Sequence, residues 1–310
     1  MTLDVALPPG DATALVGDVL EEFLTDCRLR NLSPRTVAWY RDSLRVVLEP
    51  VIRVPLSTVT AAAVRESLAS LMDGRAATTV NGFVRAVKSF LNWAANGEYL
   101  VQVDPRRIAR LKEPKRIPPT LTAEQVQAIL SVPDKRSFLG LRDHTCMALM
   151  LDTGVRVGEV QGLTPEDVSI PFVKVRGKGD KERTVALSAP MQTHLRKYLR
   201  AREAALTRAR QETPFLFPSR TGRRLDRRSV QEAIKRYAQA AGIEGVRVSP
   251  HTFRYTYATH FLRNGGSIVS LQQVMGHTTL AMSRRYAAMV DEDAFEESMR
   301  CSPLAAVRGR

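Results

Sequence analysis

Six residues of types that can bind phosphate or move protons lie in the 310-residue chain, in the order Arg156, Lys178, His251, Arg254, His277 and Tyr286. Guanidinium groups are planar and permanently charged, so two of them can hold phosphodiester oxygens through paired hydrogen bonds. A phenol has an ordinary pKa of about 10, so it is a poor nucleophile near neutral pH unless a cationic pocket favours its phenolate. These residue types suit chemistry on a phosphate ester.

The spacing of these residues indicates how they are presented. Arg156 and Glu159 are three positions apart, as are His251 and Arg254, so each pair lies on one face of a helix. Lys178 lies in a Gly-Lys-Gly-Asp turn between two short β segments. Taken singly, each residue also has a structural interpretation: a packed Tyr286, a solvated Lys178, a helix-capping His277.

The six positions, in this order, resemble the catalytic domain of the tyrosine recombinase (phage integrase) family. The surrounding text is similar too: TG-x-R-x-x-E at 153–159, GKG-x-KER at 177–183 and THFL at 259–262. The segment NLSPRTVAWYRDSL at 31–44 resembles the helical core-binding domain of the Xer and integron branch. The resemblance covers about residues 15–290. Val160 departs from the Leu that is common there, which we interpret as a packing change.

The resemblance implies a site-specific recombinase that cuts and rejoins DNA through a 3′-phosphotyrosyl intermediate. Tyr286 is then the nucleophile, and Arg156 and Arg254 bind the nonbridging oxygens. Lys178 protonates the leaving 5′-oxygen, although Lys181 in the same turn is a possible substitute.

Three further residues receive supporting roles from the resemblance. His251 is a candidate general acid or base, and His277 donates a hydrogen bond to the phosphate. Glu159 orients Arg156 or His251. The sequence contains neither a P-loop nor a carboxylate cluster suited to two metal ions, so we expect no metal and no cofactor.

The elements that must position these residues are mainly helical. In the N-terminal part, Ser33-Pro34 predicts a helix start, and apolar spacing predicts four helices between about residues 19 and 95. Helices are also predicted near 122, at 139–152, from about 156, and at 190–208, 229–241, 250–264, 267–275 and 278–288. Short β segments are predicted at 172–176 and 183–187.

The fold class is therefore mainly α: a four-helix, SAM-like core-binding domain and an α+β catalytic domain with a small antiparallel sheet. We predict an N-terminal extension at 1–14, the core-binding domain at 15–111 and a linker at 112–121. The catalytic domain follows at 122–290 and a C-terminal tail at 291–310. The linker contains KEPKRIPPT, in which three prolines exclude a continuous helix.

The net charge of +14 lies almost wholly in one segment. Residues 112–290 carry 30 basic and 15 acidic residues, whereas residues 1–111 carry 13 and 12. This excess favours nucleic acid as partner over a membrane surface. Three scattered cysteines, no apolar run long enough to cross a bilayer and no secretion signal favour a cytoplasmic location.

Double-stranded DNA with a specific core site is the expected partner, held between the two domains. The basic residues expected to contact it are Arg35, Arg85, Lys88, Lys115, Arg116, Arg223 and Arg224. Trp39 and Trp93 are assigned to the N-terminal core, and His144, His194 and His260 to structural roles.

The resemblance further implies a homo-tetramer on two DNA sites, with a second related recombinase as a possible partner. The apolar residues of the tail, Ala294, Phe295, Met299 and Leu304, are expected to dock on a neighbouring protomer. Two other functions compete with recombination: a type IB topoisomerase-like enzyme, and a DNA-binding protein that has lost catalysis.

Overall fold

The computed structural model describes residues 11–97, 99–113, 118–177 and 181–276. The chain divides into two compact units, Met1–Lys115 and Arg116–Arg310. This division falls within the segment 112–121 that the sequence predicts as a linker. Each unit has its own hydrophobic core, so each is described by itself.

The first unit contains the four predicted helices, α1 (Val16–Leu29), α2 (Pro34–Leu48), α3 (Ala61–Ser70) and α4 (Ala77–Ala95). Ser33 caps α2 as predicted, because its hydroxyl accepts a hydrogen bond from the Thr36 N–H at 3.2 Å. The apolar stripes of α1 and α4 meet in the core, where the rings of Phe23 and Phe90 pack edge to face at 5.8 Å.

The two tryptophans do not share the predicted place in this core. Trp93 is half-buried and lies 5.4 Å from the Phe23 ring. Trp39 is 36% exposed, so its assignment to the core was wrong. Val37 is on the buried face of α2, and two residues correspond to roughly 200° around a helix. Trp39 therefore points away from the core despite its large apolar ring.

The second unit is α+β, as predicted. Its described helices are α5 (Ala123–Ser131), α6 (Phe138–Thr153), α7 (Val157–Gly162), α8 (Ala189–Ala209), α9 (Arg227–Ala240), α10 (Pro250–Arg263) and α11 (Ile268–Met275). Thr122 and Gln125 form the predicted capping box of α5. The helix predicted at 278–288 lies outside the described residues.

Among the described residues of this unit, the sheet has three antiparallel strands in the order β1 (Val168–Ser169), β2 (Phe172–Arg176) and β3 (Glu182–Ala186). β3 begins one residue earlier than predicted. The sequence did not predict β1, because two residues are too few for an alternating pattern. The register places Val175 opposite Arg183.

The core of the second unit holds the elements that carry the candidate site. Val173 and Val175 of β2, Val185 of β3 and Phe253 of α10 are all almost completely buried in one cluster with residues of α6 and α7. Alternation along β3 places Arg183 on the same face as the buried Val185. Its Nε donates to the Val274 carbonyl at the end of α11, next to the Met275 carbonyl that accepts from Arg254. Within the described part of the chain, no helix is long and apolar enough to cross a membrane.

Candidate active site

Arg156, His251 and Arg254, three of the six predicted catalytic residues, line one cleft of about 460 Å³ in the second unit. Glu159 lines the same cleft. The other three, Lys178, His277 and Tyr286, lie outside the described residues. Lys181, the alternative to Lys178, is exposed beside the same turn, and its carbonyl accepts a hydrogen bond from the Gly177 N–H at 2.8 Å.

Arg156 occupies the N-cap of α7, and Glu159 bonds to it twice. The Glu159 carboxylate accepts hydrogen bonds from the Arg156 backbone N–H at 2.7 Å and from its Nη1 at 2.9 Å. A cation at a helix N-terminus opposes the helix dipole, and a carboxylate in the first turn offsets this. Of the two predicted partners of Glu159, the structure therefore places Arg156 in contact with it.

Arg183 of β3 donates two hydrogen bonds to the same carboxylate, a contact that the sequence did not predict. Its Nη1 and Nη2 donate to Glu159 Oε1 and Oε2 at 2.8 and 2.9 Å. The Glu159 side chain is only 4% exposed and that of Arg183 15%. The signal that could have identified Arg183 is its place at the end of the GKG-x-KER motif.

The ionisation of Glu159 follows from these contacts. Burial raises the pKa of its carboxyl group, but hydrogen bonds from Arg183 and Arg156 and the charge of Arg183 outweigh burial and lower it below 4.5. Glu159 is therefore negatively charged at neutral pH, and it partly balances the two cations that contact it.

Arg254 is the most deeply buried cation of the cleft, with 5% of its surface exposed. Its Nη1 donates to the Gly154 carbonyl, and its Nη2 donates to the Met275 carbonyl at 2.7 Å. These carbonyls lie at the C-terminal ends of α6 and α11, where carbonyls lack helical partners and the helix dipole is negative. Two helix ends thus orient this guanidinium and stabilise its charge.

His251 is the second residue of α10 and lies beside these arginines. The side chain of His251 is exposed at the cleft, but partial desolvation by its neighbours, followed by the charges of Arg227, Arg254 and Arg156, lowers its pKa below the ordinary value of 6.5. The neutral imidazole therefore predominates at pH 7, and this form can accept a proton.

Cations surround the cleft. Among the described residues that line it, Arg156, Arg176, Arg224, Arg227 and Arg254 are basic, whereas Glu159 alone is acidic. Such a concentration of guanidinium groups favours a polyanion. The sequence predicted Arg224 as a DNA contact, but it did not predict Arg176 or Arg227 at the site.

The arginines of the basic segment 220–228 differ in their surroundings. Arg224 donates to the Gln161 carbonyl at 3.2 Å and to the Gly158 carbonyl at 3.3 Å, so α7 holds it at the cleft wall. Arg223 is exposed. Arg227 is the first residue of α9, directly after the N-cap Asp226.

The remaining predicted DNA contacts belong to the first unit or to the linker. Arg35 and Arg85 are exposed, and the Arg85 guanidinium lies 5.6 Å from the centroid of the Trp39 ring. Lys88 is half-buried on α4. Lys115 and Arg116 lie outside the described residues.

The three histidines assigned to structural roles lie elsewhere in the second unit. His144 is 2% exposed, and its ring lies 4.9 Å from that of His194. His260 is half-buried, with its Nε2 3.3 Å from the Leu121 carbonyl oxygen.

Comparison with known proteins identifies the class. Residues 119–293 match the model of the phage integrase family. The chain is 32% identical over 281 residues to tyrosine recombinase XerD of Proteus mirabilis, covering 88% of this chain and 89% of the relative. It is 34% identical over 300 residues to XerD of Ralstonia nicotianae, covering 92% of both.

Solved structures share the fold. XerA recombinase matches with a TM-score of 0.52 and 26% identity, over 93% of this chain and 99% of that chain. A lambda integrase dimer bound to a COC′ core site matches with a TM-score of 0.71 and 18% identity, over 88% and 95%.

The chain belongs to the phage integrase family of tyrosine recombinases. It is a tyrosine-type site-specific recombinase, and it is similar over most of its length to the XerD recombinases. The type IB topoisomerase alternative is not favoured, because these relatives are recombinases.

Proposed function

We propose that this recombinase cuts and rejoins a specific double-stranded DNA site with Tyr286 as its nucleophile. The observation that carries the proposal is the convergence of Arg156, His251 and Arg254 on one cleft, although up to 98 positions separate them in the sequence. The family motif assigns these same three residues to phosphate binding and proton transfer.

The reaction begins when the Tyr286 oxygen attacks phosphorus and its proton passes to a base, for which the neutral imidazole of His251 is suited. Arg156 and Arg254 hold the nonbridging oxygens, on which negative charge grows during the attack. The bond from phosphorus to the 5′-oxygen breaks, and Lys178 supplies the proton that this oxygen needs.

The product of this step is a 3′-phosphotyrosyl bond and a free 5′-hydroxyl. A 5′-hydroxyl of a partner strand then attacks the same phosphorus and gives its proton to the neutral Lys178. The bond from phosphorus to the Tyr286 oxygen breaks, and protonated His251 returns a proton to that oxygen. Because a phosphate ester replaces a phosphate ester in each step, rejoining needs no nucleotide energy source. His277 donates a hydrogen bond to the phosphate in both steps.

Basic side chains other than Arg156 and Arg254 bind the duplex backbone. Arg35, Arg85 and Lys88 contribute from the first unit, Lys115 and Arg116 from the linker, and Arg223 and Arg224 from the second unit. Contacts to phosphates of this kind set the position of a protein on DNA and weaken as salt is added.

The active assembly we propose is a homo-tetramer on two DNA sites in the cytoplasm, with a second related recombinase as the alternative partner. The apolar tail residues dock on a neighbouring protomer. Cys27 and Cys146 are buried free thiols, which suits a reducing compartment. The mass of the protein–DNA complex tests this assembly. We expect four subunits in the complex that contains two DNA sites, and a complex of only two subunits on two paired sites would contradict the proposal.

The DNA site can be found by selecting bound duplexes from a random pool with Tyr286→Phe protein, which lacks the nucleophile. A duplex carrying that site and a nick near the cleavage position loses a short fragment on cutting and so traps the covalent adduct. We expect an adduct with the unmodified protein and none with Tyr286→Phe.

Two results would refute this function in different ways. Binding without any adduct from the unmodified protein would identify a DNA-binding protein that has lost catalysis. Relaxation of supercoiled plasmids that lack the selected site would instead indicate topoisomerase activity.

A sulfur substitution tests which lysine is the acid. A thiolate leaves more readily than an alkoxide and needs no proton, because the ordinary pKa of a thiol is about 8.5. Lys178→Ala should cut ordinary DNA slowly and regain its rate on DNA with sulfur in place of the 5′-bridging oxygen. Lys181→Ala is the matched control, and the same recovery in that variant alone would assign the role to Lys181.

A further inference from the structure

Arg183 joins parts of the site that lie on different elements. From β3 it donates two hydrogen bonds to Glu159, and Glu159 in turn holds the backbone and side chain of Arg156. Its third donor, Nε, bonds to the Val274 carbonyl of α11 at 2.9 Å. One guanidinium therefore connects the first turn of α7 with the last turn of α11.

The C-terminal end of α11 is held by two arginines. The Val274 carbonyl accepts from Arg183, and the adjacent Met275 carbonyl accepts from Arg254. Gly276 ends the helix with a φ of 62°, and a Cβ there would lie 3.2 Å from Arg183 Cδ. The backbone at this end of α11 thus packs directly on the Arg183 side chain.

We propose that Arg183 is a positioning residue for strand cleavage, which holds Arg156 and the end of α11 in one fixed arrangement. His277 follows this helix end directly in the sequence, and Tyr286 is ten residues beyond Gly276. The proposal rests on the catalytic roles proposed above for Arg156 and Tyr286. Arg183 acts through Glu159 and the α11 carbonyl, and it is not itself a catalytic residue.

Only a guanidinium can make this set of contacts. Its planar fork binds both carboxylate oxygens of Glu159 while Nε points in a third direction, whereas an ammonium is a compact point charge. A lysine at this position would keep the positive charge and lose the geometry. The variant Arg183→Lys therefore tests the positioning of Glu159 and α11 while the net charge of the cleft stays unchanged.

The decisive measurement is single-turnover cleavage of the nicked substrate by the full chain. A displacement of about 1 Å can cost on the order of 100-fold in rate. We expect Arg183→Gln to cut about 100-fold more slowly and Arg183→Lys at an intermediate rate, with DNA binding within about threefold of the unmodified protein.

Arg202→Gln is the matched control. Arg202 also bonds to backbone carbonyls, those of Thr213 and Phe215, but α8 holds it outside the cleft-lining set. It should lose thermal stability without losing cleavage. Equal loss of cleavage in Arg202→Gln and Arg183→Gln would overturn the proposal, since stability alone would then explain both.

The pH profile gives a second readout that general destabilisation does not move. Burial raises the pKa of Glu159, and loss of Arg183 removes the largest effect that lowers it, so the carboxylate takes up a proton at higher pH in the variant. The cleavage rate should therefore begin to fall at a higher pH on the acid side of the profile. The charged groups around Glu159 are Arg156 and Arg183 and the cleft residues Arg176, Arg224, Arg227 and Arg254, and His251 is the titratable group of the same cleft. The charges that lower the pKa of His251 are those of Arg227, Arg254 and Arg156, and Arg183 is not among them.

The double variant Glu159→Gln/Arg183→Gln should lack this shift. A folded Arg183→Gln protein that cuts at the normal rate with an unchanged profile refutes the positioning role. If Arg183→Gln does not fold, Arg183→Lys decides, and an unimpaired rate in it refutes the role. Absence of adduct with the unmodified protein would instead refute the proposed nucleophilic function.

Discussion

Replacement of Gly154 by alanine tests how Arg254 is held. Gly154 ends α6 with a φ of 64°, and its carbonyl accepts a hydrogen bond from Arg254. A left-handed conformation costs an alanine about 1–2 kcal/mol. The new Cβ would also overlap the Tyr257 ring and lie 2.9 Å from Met275 Sδ, and such overpacking costs about 1–3 kcal/mol.

Gly242→Ala is the matched control for this variant. Gly242 has a φ of 67° in the same unit, and a Cβ there meets no atom within 4 Å. It therefore carries the conformational cost without the crowding. The difference in the free energy of unfolding between the two variants, measured by urea unfolding followed by circular dichroism, should be about 1–3 kcal/mol.

The same variant should impair catalysis. A hydrogen bond from a charged donor contributes about 1.5–3 kcal/mol, so displacement of the Gly154 carbonyl should slow cleavage about 10- to 100-fold. Gly242→Ala should cut normally. Equal stabilities of the two variants would show that Tyr257 does not crowd this position, and normal cleavage by a destabilised Gly154→Ala protein would show that its carbonyl does not position Arg254.

Three other predictions concern stability and reactivity. Burial, with smaller effects of nearby cations, lowers the pKa of His144 from 6.5 to about 4, so the folded state binds fewer protons than the unfolded state between these values. The contribution of His144 to the free energy of unfolding is therefore complete above pH 6.5 and declines by at most about 3 kcal/mol as the pH falls to 4. Urea unfolding at pH 5 and pH 7 measures this decline, and the variant His144→Gln should show a smaller one. Asn81 is buried, and its side chain hydrogen-bonds to both the N–H and the carbonyl of Leu111. The variant Asn81→Ala should therefore lower the free energy of unfolding by about 1–3 kcal/mol and speed proteolysis near residue 111. Unchanged proteolysis would show that Asn81 does not anchor this segment. Burial raises the pKa of the Cys146 thiol to about 12 and also raises that of Cys27, so mass spectrometry should find both unmodified by iodoacetamide in the native protein and modified in urea; rapid native labelling of either would contradict their burial.

The helices were predictable because their signals are local. Caps such as Ser33 and Thr122 and the apolar spacing of α4 act within one or two turns, so the sequence around each helix suffices. The two-residue strand β1 and the exposed face of Trp39 show the limits of this reasoning. The strand β1 is too short to show an alternating pattern, and the large apolar ring of Trp39 favoured a burial that the structure does not show.

The family pattern names six candidate residues by type and order, and the structure describes three of them, Arg156, His251 and Arg254, in one cleft. The sequence by itself determined which residues were candidates, the placement of Arg156 and Glu159 within one helical turn, and the basic character of the second unit. The structure decided that Glu159 bonds to Arg156. Spacing of three residues fixes side chains on one helix face, and that requires no knowledge of the rest of the fold.

Tertiary structure alone decided how these residues are held. Arg183 reaches Glu159 across 24 positions, and Arg254 reaches Gly154 across 100 and Met275 across 21. Local sequence cannot specify contacts over such distances. They depend on how α6, α10 and the sheet pack in the main core of the second unit, and on how α11 packs in a smaller cluster with Ala258 of α10. The buried carbonyls at two helix ends needed donors, and packing brought Arg183 and Arg254 to them.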